Sequence, residues 1–207
     1  MPRIRLRQAI CALGLALVAS TDIAAETVGT ATDAQGLRQV SEFDSISPKK
    51  ARSVALFEEA AKVITHPRCM NCHPVSERPT QTDTLRPHEP WVVRGVDGHG
   101  ALGMRCNTCH QDSNYDAAGI PGHPKWAVAP ASMAWQGKSL GEICKQLQDR
   151  KRNGGMDSAE LIHHMAEDSL VGWGWNPGAN QTPAPGTQAQ FAELIRAWLK
   201  TGGHCPS

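Results

Sequence analysis

Cys69-Met70-Asn71-Cys72-His73 and Cys106-Asn107-Thr108-Cys109-His110 carry one pattern, C-x-x-C-H, twice, with 37 positions from Cys69 to Cys106. Thiols three positions apart lie on one face of a helical turn, where both can add to the vinyl groups of a single porphyrin. The histidine that follows the second cysteine then presents its imidazole to the iron from the proximal side. The pattern is the attachment signature for a c-type haem. Cys69, Cys72, Cys106 and Cys109 are therefore the candidate attachment residues for two covalently bound haem c groups, with His73 and His110 as candidate proximal ligands.

Two other readings of the cysteines compete. Paired C-x-x-C motifs can bind Zn(II) through four thiolates, usually in intracellular proteins. A thioredoxin-like redox pair needs a βαβ context, and no strand-helix-strand pattern flanks either motif. The trailing histidine on both copies favours haem, and so does the start of the chain. Arg3, Arg5 and Arg7 form a positive segment, Ile10 to Ala19 a short apolar one, and Ile23-Ala24-Ala25 a cleavage site ahead of Glu26. Residues 1–25 thus read as a signal peptide, and the apolar run falls short of the roughly 20 residues of a membrane span. Export to the periplasm suits haem c attachment, which in bacteria takes place outside the cytoplasm. Cys11 leaves with the signal, and the formal charge moves from +1 to −1. That balance points to neither nucleic acid nor an anionic membrane surface, and no second long apolar segment predicts a membrane span.

Residues 26–46 are polar and weakly periodic and read as a flexible lead-in, with residues 47–207 as one haem-carrying domain. Ser47-Pro48 predicts a helix start. Val54, Phe57, Ala61 and Ile64 then form the apolar stripe of an amphipathic helix ending near His66-Pro67. His66 is a surface residue or an outer-shell donor. Residues 74–103, with four prolines and then Gly95, Gly98, Gly100 and Gly103, are irregular and long enough to wrap an object. No strand precedes those glycines and no Lys-Ser/Thr follows, so they are not a phosphate loop.

A second irregular stretch runs from Asn114 to Lys138. Met133, 23 positions after His110, fits a thioether ligand on the distal side of the second haem, or a core methionine filling a gap between tryptophans. For the first haem, His88, His99, His123, His163, His164 and Met104 are all chemically able. Met104 cannot easily turn onto the haem held by Cys106, and His164 shares a helical face with Leu161 and Asp168, whose acid could orient it. An iron left without a sixth ligand would mark an enzyme.

The region 139–207 reads as helical. Ser139-Leu140-Gly141-Glu142 is a capping box opening a helix toward Arg150, Lys151 and Arg152. Asp157-Ser158-Ala159-Glu160 opens the next. Thr187 or a neighbour caps a last helix with Phe191, Leu194, Ile195 and Trp198 on its buried stripe. Cys144 and Cys205 form a disulfide or remain free buried thiols. With six tryptophans against three phenylalanines and one tyrosine, Trp126, Trp135, Trp173 and Trp175 are expected to wall the cofactors. No strand is predicted. The fold class is all-α: cytochrome c-like helices with long irregular loops wrapping two covalent haems.

This combination resembles a soluble dihaem cytochrome c. The longer pattern, from His66-Pro67-Arg68-Cys69 through Trp173-Gly174-Trp175 to Cys205-Pro206, is similar to small exported cytochrome subunits that accompany molybdenum hydroxylases of the isoquinoline or aldehyde oxidoreductase type. The resemblance implies a periplasmic carrier passing single electrons between a redox enzyme and a downstream acceptor, its partner a molybdenum hydroxylase or another cytochrome. It departs from the dihaem peroxidases, which are considerably longer. The alternative is a dihaem oxidoreductase with one open iron acting on a small substrate, with His123 or Asp168 as polar groups nearby.

Overall fold

The computed structural model describes residues 36–207, so the expected signal segment lies outside the described residues. Helix α1 spans Lys49–Ile64. Its N-cap is Pro48 rather than Ser47, which leaves proline's missing N–H outside the hydrogen-bonded ladder. Phe57, Ala61 and Ile64 of the expected stripe are buried, and Leu56, Ala60 and Val63 widen that face. A wide apolar face is what a helix covered by several neighbours needs.

Those neighbours come from the C-terminal half. Helices α3 (Leu140–Gln148), α4 (Ser158–Glu167) and, after the one-turn α5 (Ser169–Gly172), α6 (Gln188–Lys200) begin after Ser139, Asp157 and Thr187, where helix starts are predicted. In each, the cap side chain accepts the N3 amide and the N3 side chain accepts the cap's own N–H, so two otherwise unpaired donors are satisfied. Helix α3 stops at Gln148, so Arg150, Lys151 and Arg152 lie past its end. Helix α6 packs along α1 and also against α4, burying Phe191, Leu194, Ile195 and Trp198. The Trp198 ring meets Phe57 at 4.9 Å.

The C-terminus is pinned to this core. A disulfide joins Cys144 of α3 to Cys205, with Cα atoms 5.5 Å apart. The Trp198 indole donates to the His204 carbonyl at 3.1 Å, and the His204 N–H donates to the buried Ser53 hydroxyl at 3.0 Å.

Two expectations need correction. Residues 36–46 are not wholly a free lead-in: Leu37 and Phe43 are buried in the core, and the Arg38 N–H donates to Glu59. The apolar side chains are few and far apart, so no periodic signal announced them. The chain is mostly helical, but it also carries two antiparallel pairs of two-residue strands. Strands β1 (Thr80–Gln81) and β2 (Arg86–Pro87) form one pair, β3 (Gly100–Ala101) and β4 (Met104–Arg105) the other. Two residues are too few to show a period of two, so such hairpins leave no alternation in the sequence.

Both hairpins lie within residues 74–105, the irregular stretch 74–103 and the two residues after it, which fold back on the first motif. The buried Arg94 guanidinium donates to the carbonyls of Pro74 and Ala129, each at 2.9 Å, and pairs with Glu77. At Gly98, φ is +80° and a Cβ would lie 2.5 Å from the Val128 carbonyl oxygen, so only glycine fits. The Gly98 carbonyl in turn accepts the Val128 N–H.

Candidate functional site

Each C-x-x-C-H motif closes one helical turn. The His73 N–H donates to the Cys69 carbonyl at 3.2 Å, and the His110 N–H to the Cys106 carbonyl at 2.9 Å. The first turn continues helix α2 (Pro67–Met70), and the second continues a 3-10 turn over Cys106–Thr108. His66 is half-buried. It caps α2, its Nδ1 accepting the Arg68 N–H.

The two histidines are held alike. His73 Nδ1 contacts the Met133 carbonyl at 2.7 Å, and His110 Nδ1 contacts the Pro121 carbonyl at 2.7 Å. A carbonyl can only accept, so both Nδ1 atoms carry the proton and both Nε2 lone pairs are free. Each ring also lies flat against a tryptophan: His73 on Trp135 at 3.5 Å between centres and 5° between planes, His110 on Trp126 at 4.7 Å and 15°. Orientation, tautomer and rotation are thereby fixed, as a metal-ligating imidazole requires.

Each motif faces its own cavity. The first, about 480 Å³, is lined by Cys69, Cys72, His73, Met133, Trp135, His164 and other mostly apolar side chains. The second, about 400 Å³, is lined by Cys106, Cys109, His110, His88, Met104 and Trp126 among others. Both volumes are those of small-molecule or cofactor sites. Arg68, Cys72, Ala127, Val128 and Trp173 line both cavities and form a shared wall. Trp173 stands edge-on to Trp126 at 4.8 Å and donates to Asn114.

The expected distal candidates fall unevenly. Met133 lines the first cavity, not the one that holds His110. Its own carbonyl accepts from His73 Nδ1; counting positions from His110 could not show which loop folds beside which motif. Met104 lines the second cavity rather than the first, because hairpin β3–β4 carries it straight into Cys106. His164 lies where it was expected, in the first cavity with Asp168, whose carboxylate is 3.8 Å from its Nδ1. That is too long for a hydrogen bond, and burial, outweighing the Asp168 charge, lowers His164 from its ordinary value, so the contact is not an ion pair at neutral pH. Trp126, Trp135 and Trp173 wall the cavities, whereas Trp175 packs on Phe191 and donates to the Pro185 carbonyl. His123 accepts the Lys125 N–H in a local turn. The residue missed for the second site is His88, expected among the donors for the first, which lines this cavity with its ring edge-on to that of His110.

The electrostatics separate the two motifs. Desolvation pushes the Cys69 thiol up to about 12, with the neighbouring Cys72 adding to it. Burial likewise raises Cys72 to about 11. Burial holds His73 down to about 4, outweighing the Met133 carbonyl that favours its protonated form. His110 is lowered for the same first reason. Both imidazoles are therefore neutral at neutral pH, the form that ligates metal.

The first cavity's wall also holds an unfilled demand for an acceptor. Arg68 is 3 % exposed and pairs with Asp83 through Nη2, while its Nε and Nη1 have no partner within the protein. The Trp135 indole N–H is likewise buried without a partner. A ligand carboxylate would satisfy such donors, and a haem brings two propionates. Among the described residues no three His, Cys, Asp or Glu side chains converge as a metal-ion site, whereas a structural zinc needs four ligands around one point. Paired thiols, a fixed imidazole, an apolar cavity and an unpaired buried guanidinium all fit haem c.

No protein-family model, curated protein sequence or solved structure matches the chain. Among the described residues no helix is long and apolar enough to cross a membrane.

Proposed function

We propose that the protein is a periplasmic dihaem c-type cytochrome that passes single electrons between a redox enzyme and a downstream acceptor. The observation that carries the reading is the pair of adjoining cavities, each entered by one C-x-x-C-H turn whose histidine has its Nε2 free. When bound, haem c supplies a one-electron iron couple. Cys69 and Cys72 would hold one group and Cys106 and Cys109 the other, with His73 and His110 as proximal ligands. Arg68, between the two cavities, would take propionate oxygens. Trp135, Trp126 and Trp173 exclude water from the apolar walls and hold the imidazoles in register, both of which tune potential. The redox partner implied by the resemblance is a molybdenum hydroxylase or another cytochrome.

The test is to purify the exported protein and quantify haem by pyridine haemochrome, then follow reduction by a small cytochrome or an electrode. Two covalent haems per chain, reduced in one-electron steps, is the expected result. Zinc in place of haem, or haem that exchanges no electrons with any carrier or electrode, would overturn it.

A further inference from the structure

The rings of His88 and His110 lie with their centres 5.9 Å apart and their planes at 64°, and both line the second cavity. Resting on the dihaem reading, we infer that His88 and His110 are the two axial ligands of a bis-imidazole iron in the second site.

The spacing is the first argument. Metal–nitrogen bonds of about 2.0–2.1 Å on opposite sides of one ion, plus the distance from each nitrogen to its ring centre, put two imidazole centres roughly 6 Å apart. The second argument is the protonation pattern. His88 Nδ1 contacts the Pro90 carbonyl at 3.0 Å, as His110 Nδ1 contacts that of Pro121. Both rings thus spend their N–H on backbone and keep Nε2 as a free lone pair.

His88 is also held rigidly for a residue in irregular chain. It follows β2 directly, its N–H donates to the Pro79 carbonyl at 2.9 Å, and its carbonyl accepts from Arg78 Nε and Nη2 at 2.9 and 2.6 Å. Arg78 stacks in turn over Trp91 at 4.3 Å. Hairpin β1–β2 therefore fixes His88 as the turn over Cys106–His110 fixes its partner. Met104, the other soft donor in this cavity, precedes Cys106 by two residues and is confined to the attachment edge.

The experiment compares the full holoprotein with His88→Ala and His88→Met by haemochrome, EPR and optical spectra with and without cyanide. In the wild type, two haems per chain are expected, the second showing a bis-imidazole low-spin signal. In His88→Ala the haem count stays at two, while half of the iron becomes high-spin and takes up cyanide. In His88→Met the second site becomes low-spin His/Met, with a methionine charge-transfer band and a raised potential; this variant decides the matter where the alanine form does not accumulate. A wild type with two haems whose spectra are unchanged in both variants overturns the ligand assignment alone. A wild type without haem overturns the assignment and the function together.

Discussion

The two motifs share a sequence pattern, a backbone turn, a carbonyl for Nδ1 and a stacked tryptophan, yet they sit in opposite surroundings. The first grows out of α2 beside the main helical core, and its cavity is walled by Ile64, Leu147, Leu161, Met165 and Phe191. The second lies between two-residue hairpins, with Cys109 exposed and Met104 40 % exposed. Burial pushes the Cys69 thiol up to about 12 and also raises Cys106, whose motif is the more open of the two. An attachment motif prescribes local chemistry, and the tertiary partners prescribe the dielectric around it. A drier site disfavours the more highly charged oxidised iron, and bis-imidazole ligation lowers potential relative to His/Met. The second site is expected to hold the lower potential of the two.

The largest test of this contrast removes the attachment thiols. Cys69→Ser with Cys72→Ser should lose one haem and also the cooperative thermal transition, since the first cavity is part of the core. Cys106→Ser with Cys109→Ser should lose one haem and keep that transition. Haemochrome together with calorimetry reads both, and equal thermal losses would erase the distinction.

Next in size is the tether at the C-terminus. Cys144→Ser with Cys205→Ser opens a cross-link with a sequence separation of 61, for a cost of about 4 kcal/mol on a chain-entropy argument. Denaturant unfolding should show the loss, and the His73 site should respond before the His110 site does. A smaller effect, common to both sites, is expected from Arg68→Leu. Removing a positive charge from the shared wall should lower both reduction potentials in a spectroelectrochemical titration; a shift at one site only would mean that Arg68 serves that cavity alone.

The smallest effect is acid-induced and confined to the second site. The Arg105 side chain, first, and the His99 N–H hold the Asp97 carboxyl down to about 2. A carboxyl held low in the folded state adds stability that is fully present above the ordinary carboxylate range and fades as pH falls toward 2. The loop carrying Gly98 and Gly100 should therefore loosen between pH 4 and 2, seen as a change in the second haem's spectrum that Asp97→Asn brings to neutral pH.

How much of this was legible in the sequence follows from the range of each signal. The caps at Ser139, Asp157 and Thr187 and the stripe of α6 are local, with partners three or four positions away, and they were read residue by residue. The pairing of Cys144 with Cys205 needed only an even remainder. What contacts span tens of residues decide was not legible. Met133 reached the first cavity and His88 the second because Arg94, Gly98 and Ala129 fold the two irregular stretches across each other, and no spacing rule records such a crossing. The small hairpins were invisible for the opposite reason, being too short to carry a pattern.

The wall of Arg68, Cys72 and Trp173 has one more consequence. On the dihaem proposal, a charged centre would lie on either side of this wall, and adding an electron to one would raise the cost of adding the next. The protein would then titrate in two macroscopic steps that belong to the pair, each a weighted mixture of both sites. A carrier of that kind would stay partly charged over a wider range of ambient potential than either centre alone, a buffer between a donor and an acceptor that need not be closely matched.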